Sequence, residues 1–120
     1  VFIICCLINS CFSFADPLTD NSLKVAGRAL ANYQVCEQLA ADINDKAMVS
    51  YYSQMFADSS AKINRFTEKQ SEFVIQEFKR SVNKLLKINT RVMTQLCLRR
   101  FDPLTRKMQE KKLAILNLVN

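Results

Sequence analysis

The chain has 120 residues with one glycine, two prolines and no histidine, and it carries a formal net charge of +6. That length suits one domain able to bury well over half of its unfolded surface, and so little turn chemistry excludes an all-β fold. The missing histidine removes the usual general base, the usual activator of a nucleophile and the commonest metal ligand, so neither an enzyme nor a cofactor protein is expected; His-ligated haem and Glu-x-x-His di-iron bundles are excluded.

The stretch from Val1 to Ala15 is apolar and uncharged, and Ser13-Phe14-Ala15 offers small residues at the two positions a signal peptidase reads. It predicts a cleaved secretory signal over residues 1–15 and a mature domain over 16–120, exported to the periplasm or the extracellular space. The stretch is shorter than the roughly 20 apolar residues of a membrane span. A starting Met and a positive n-region are missing, so the signal is expected to be clipped at its N-terminus. Ile8-Asn9-Ser10-Cys11 resembles a bacterial lipobox, which would lipidate Cys11, but Asn is atypical in its middle position and Ser-Phe-Ala makes the better cleavage site.

In the mature chain, Leu23, Ala26, Leu30, Tyr33, Cys36, Ala40 and Ile43 recur every three or four residues, which predicts a first helix from about Asn21 to Asn44. The small residues Ala26, Gly27, Ala29, Ala31, Ala40 and Ala41 would let a neighbour approach closely. Asn44-Asp45-Lys46 punctuates the pattern as a tight turn, so the next helix should run antiparallel to the first. This second helix carries Met48, Tyr52, Met55, Phe56, Ile63 and Phe66. Its end is set by length: a break near residues 66–70, where Thr67-x-x-Gln70 has the form of a capping box, leaves helices of similar span. A third helix with Phe73, Phe78, Val82, Leu85, Val92, Met93, Leu96 and Cys97 is expected to end near Phe101. Asp102-Pro103 then starts a fourth, with Leu104, Met108, Ile115 and Leu116 on its apolar side. Asp16-Pro-Leu-Thr19 recurs as Asp102-Pro-Leu-Thr105, and both copies are expected to start helices. The predicted architecture is all-α, an antiparallel bundle of three long helices plus a shorter C-terminal one.

Cys5, Cys6 and Cys11 fall in the expected signal, leaving Cys36 and Cys97 for the mature chain. Two cysteines in an oxidising compartment predict one disulfide, and their spacing fits no Cys-x-x-Cys redox or zinc motif. With the first helix ascending, the second descending and the third ascending again, the two cysteines come to similar heights on apolar faces. Glu68, Glu72 and Glu77 could pair as catalytic carboxylates, but Lys69, Lys79 and Arg80 beside them favour a solvated charged face. Tyr51, Tyr52, Phe56, Phe66, Phe73 and Phe78 could line a ligand pocket; at helical spacing they are expected in the core.

Charge divides the chain. From Asp16 to Phe78 six Lys or Arg face nine Asp or Glu, whereas from Lys79 to Asn120 eleven face two. The basic half, with Arg99, Arg100, Arg106, Lys107, Lys111 and Lys112 as its expected contact surface, should attract an anionic envelope surface or an acidic protein. Export argues against nucleic acid. The segment Leu104-Thr105-Arg106-Lys107-Met108-Gln109 resembles the Leu-Thr-x-x-Gln motif of small helical periplasmic stress chaperones over six residues, with its Gln one place late, and no membership is read from it. The expected role is a non-enzymatic binding or structural module at the cell envelope. The alternative is a periplasmic helical chaperone or a carrier of small hydrophobic ligands.

Overall fold

The computed structural model describes residues 19–119; the signal expected over residues 1–15, Cys11 included, lies outside them. The described residues form α1 (Asp20–Asp42), α2 (Lys46–Ala61) running into a 3-10 turn (Lys62–Arg65), α3 (Glu68–Leu86), α4 (Thr90–Arg100) and α5 (Pro103–Val119), with no strand among them.

Helix starts are set by local side chains that satisfy the free N–H groups of a first turn. The Thr19 hydroxyl accepts from the Ser22 amide, and the Asp45 carboxylate accepts from that of Met48. Thr67 and Gln70 close the expected capping box, each side chain accepting from the other's backbone N–H. Asn89 caps α4 through the amides of Arg91 and Val92, and Asp102 caps α5 through those of Leu104 and Thr105. Of the two Asp-Pro-Leu-Thr copies, the second starts its helix as expected. The first contributes its last residue, Thr19, as the cap, and Asp16 lies outside the described residues.

Between α1 and α2, Asn44 takes a left-handed φ of 58°, which its short side chain tolerates. The Asn44 and Asp45 amides then donate to the carbonyls of Ala41 and Ala40, closing α1 with the paired bonds of a Schellman turn. The chain folds back so that Tyr33 meets Tyr52, ring centroids 6.5 Å apart, and Leu30 meets Phe56 around a shared cavity.

α1 is the central element, packed mainly on α3 and α2. Leu23, Leu30 and Val74 form one buried cluster, flanked by Ala26, Phe56, Ile63, Phe66, Phe73 and Phe78. Val35, Cys36, Ala40, Ala47, Met48, Tyr52, Met93, Cys97 and Phe101 form the other. Gly27 is where α1 and α3 come closest: a Cβ there would stand 2.8 Å from the Glu77 Cβ and 2.9 Å from the Val74 carbonyl oxygen. Of the expected first-helix face, only Ile43 is exposed, because α1 has ended by then and Ile43 is its C-cap.

Two expectations are corrected. The third helix does not run to Phe101; it stops at Leu86, and Lys87-Ile88-Asn89 leads into a separate α4. One helix from Glu68 to Phe101 would be about 50 Å long beside an α1 of about 35 Å, leaving apolar residues without a neighbour. The break turns α4 back along α1, with Cys97 beside Cys36 and Arg100 bonded to Asn32, and it leaves Leu86 and Val92 in solvent. The C-terminal helix is the second correction: Leu104, Met108, Ile115 and Leu116, expected to face the core, are all exposed.

Candidate functional site

Cys36 and Cys97 are both fully buried, with sulfur atoms 2.09 Å apart and Cα atoms 5.5 Å apart, as the sequence predicts for a disulfide. Cys97 sits not on the ascending third helix but on α4, beyond the break at Lys87-Ile88-Asn89, so the pairing holds although its helix is not the expected one. Beside the pair, the Tyr52 hydroxyl donates to the Cys97 carbonyl at 2.6 Å, which ties α2 to α4. Burial pushes the Tyr52 phenol up to about 12. Tyr51 stacks against Phe101 with centroids 5.2 Å apart, and its phenol is also raised, first by burial. These aromatic residues build the core around the disulfide rather than line a site.

The cationic half of the chain spans the second half of α3 and the whole of α4 and α5. Of the six expected contact cations, Arg99, Arg100, Lys107, Lys111 and Lys112 are exposed. Arg100 is additionally anchored, donating to the Asn32 side-chain oxygen at 2.6 Å. Arg106 is set apart from them. Its guanidinium grips both Asp45 carboxylate oxygens at 2.7 and 3.1 Å and lies over the Phe101 ring, 4.7 Å from the centroid. That bidentate grip is the main reason the Asp45 carboxyl is held below its ordinary range. Arg106 therefore docks α5 on the start of α2 and is withdrawn from the contact surface.

The same docking decides which side of α5 faces water. Gln109, buried, accepts from the Ser50 hydroxyl at 3.3 Å, and Leu113 packs against the larger core. Arg106, Gln109 and Leu113 share the inner stripe, as their three- and four-residue spacing requires. On the opposite side Leu104, Met108, Lys111, Ile115 and Leu118 follow at intervals of four, three, four and three residues, flanked by Lys107 and Lys112. Leu104 is 69%, Met108 54%, Ile115 60% and Leu118 86% exposed. The structure thus brings Lys107, Lys111 and Lys112 together with an apolar stripe that the sequence assigns to the core. The signal pointing outward was present in the interleaved lysines, but nothing in the sequence said that the stripe with Gln109 would be the one to dock.

Glu77 was expected on a solvated face with Glu68 and Glu72, which are exposed; instead it is 4% exposed in the α1–α3 contact. Its carboxylate meets Arg28 at 3.3 Å and Arg80 at 3.2 Å and accepts from the Ser81 hydroxyl at 3.4 Å. The close approach allowed by Gly27 puts it there, a relation between residues 50 apart that periodicity cannot reveal. Glu72 lines the same surface hollow as Glu77, together with Lys24, Lys69 and Arg80.

A cavity of about 220 Å³ opens between α1, α2 and α3, lined by Leu30, Phe56, Ser60, Ile63, Val74, Ile75, Phe78 and Lys79. Phe56 and Phe78 meet edge to face across it with centroids 6.2 Å apart. Among the described residues no group of three or more His, Cys, Asp or Glu is placed to hold a metal ion, and no helix is long and apolar enough to cross a membrane. Compared with known proteins, the chain matches no family model, no curated protein and no solved structure.

Proposed function

We propose that this is an exported, non-enzymatic binding or structural module of the cell envelope whose basic C-terminal helices contact an anionic envelope surface or an acidic protein. The observation that carries the reading is the cationic excess on α4 and α5, where Arg99, Arg100, Lys107, Lys111 and Lys112 stand in solvent against two exposed carboxylates, Asp102 and Glu110. A surface of this kind attracts anions over about a Debye length, so binding should weaken as salt shortens that length from about 14 Å at 50 mM to about 4 Å at 500 mM. Reversal of Lys107, Lys111 and Lys112 to Glu should abolish retention on phosphatidylglycerol vesicles and on polyglutamate resin. Retention unchanged by both salt and reversal would overturn the reading.

The cavity beside Phe56 favours a second reading, a carrier of small hydrophobic ligands. Its lining is apolar except for Ser60 and Lys79 at the edge, and its volume suits a short acyl chain more than a drug-sized molecule. Titration with a short-chain fatty acid that shifts the Phe56 and Phe78 ring-proton signals would support it; absence of any shift at millimolar ligand would remove it.

A further inference from the structure

We infer that α5 is an interfacial helix that lies flat on an acidic lipid bilayer, its outer stripe dipped among the acyl chains and its lysines on the headgroup phosphates. This deepens the anionic-surface reading and rests on it. The stripe Leu104, Met108, Ile115 and Leu118 runs about 21 Å along the helix at 1.5 Å per residue, long enough to seat three turns in a headgroup layer. Lys107 and Lys112 flank it, and Lys111, within it, has a stem long enough to carry its ammonium sideways to the headgroups.

Three features of the structure select this occupant. Asp45–Arg106, Ser50–Gln109 and the packing of Leu113 hold the opposite side of α5 on the body, so the stripe is presented outward without any rearrangement. The acidic residue within the helix, Glu110, lines the docking side with Arg106 and Leu113, which leaves the outer stripe without a carboxylate to repel lipid phosphates. A second copy of the same stripe is the poorer match. Two stripes face to face would bring Lys111 and its neighbours against their own kind in a drying contact, where like charges are costly. A bilayer accepts the apolar residues and offers phosphate to every lysine.

The chain contains no tryptophan, so one introduced at Met108 reports on α5 alone. The full chain carrying Met108→Trp is mixed with phosphatidylglycerol vesicles, phosphatidylcholine vesicles or soluble polyglutamate, with Val25→Trp on the exposed side of α1 as the control. On phosphatidylglycerol, the Met108→Trp emission should shift to the blue and be quenched by brominated acyl chains, while the control does neither. Ile115→Ser with Leu118→Ser, both exposed and so harmless to folding, should lower vesicle partitioning about tenfold at unchanged helical circular dichroism. Equal binding to polyglutamate and vesicles with no blue shift would leave the anionic-surface reading standing and overturn the interfacial helix. Binding to none of the probes would overturn both. A dimer in solution that the double serine variant abolishes would assign the stripe to a second copy and likewise overturn the lipid proposal.

Discussion

α1 and α5 both carry apolar residues at helical spacing, yet α1 is packed on three other helices, whereas α5 rests mainly on the first turns of α2. Along α1, Leu23, Leu30, Val35, Cys36 and Ala40 are buried; along α5, Gln109 is the one buried residue among those described. Hydrophobic period therefore states what a helix offers, and the number of neighbours states what is taken. A stripe covered by α2, α3 and α4 becomes a core. The same kind of stripe on the outer side of a helix docked mainly on α2, through an ion pair and a hydrogen bond, remains a surface.

That contrast can be broken from the α1 side first, where the effects are largest. The Cys36–Cys97 link closes a loop of 61 residues, for which chain entropy gives a stabilisation of about 4 kcal/mol. Reduction of the intact protein should lower its thermal midpoint by 15 °C or so at about 4 °C per kcal/mol, read by circular dichroism. A midpoint indifferent to reductant would show that α4 stays on α1 without the bond. Gly27→Ala comes next. The added methyl meets the Val74 carbonyl and the Glu77 stem below 3 Å, so the α1–α3 contact must open, at a net cost of about 2 kcal/mol despite alanine's better helix propensity. An unchanged denaturation midpoint would mean that the two helices are not in close contact.

From the α5 side the effects are smaller and local. Arg106→Ala should cost about 1 kcal/mol globally but should speed amide exchange throughout α5, while α1 stays protected. The same clamp has a pH signature. Because Arg106 lowers the folded Asp45 carboxyl, its stabilisation is complete above the ordinary carboxylate value of about 4 and is lost as pH falls through the lower folded value. Asp45→Asn should flatten that acid limb in urea titrations; a limb of the same depth in the variant would assign it to other carboxylates. Smallest of all, Leu104→Ser and Ile115→Ser should each change stability by less than about 0.5 kcal/mol, since both side chains already stand in water. A loss of 2 kcal/mol at either position would place the stripe in a core and erase the difference between the two helices.

Much of the molecule follows from the sequence alone, because its signals act over a few residues. Near absence of Gly and Pro made the chain helical, Asn44-Asp45 set the α1–α2 turn, Thr67 and Gln70 started α3, and Asp102-Pro103 started α5. Asn89 is a cap of the same local kind, but Val82, Leu85, Val92 and Met93 continue the helical period across it and mask it. Cys36 and Cys97 could be paired because only two cysteines remained outside the expected signal. Tertiary structure decided the rest: that α4 turns back, that Glu77 is buried against Gly27, that Arg106 grips Asp45, and that α5 turns Gln109 inward and Leu104, Met108 and Ile115 outward. Each of these is a choice between two surfaces that the local sequence leaves equivalent. It is settled by contacts between residues 50 to 68 positions apart, whose closeness no period of three or four can encode.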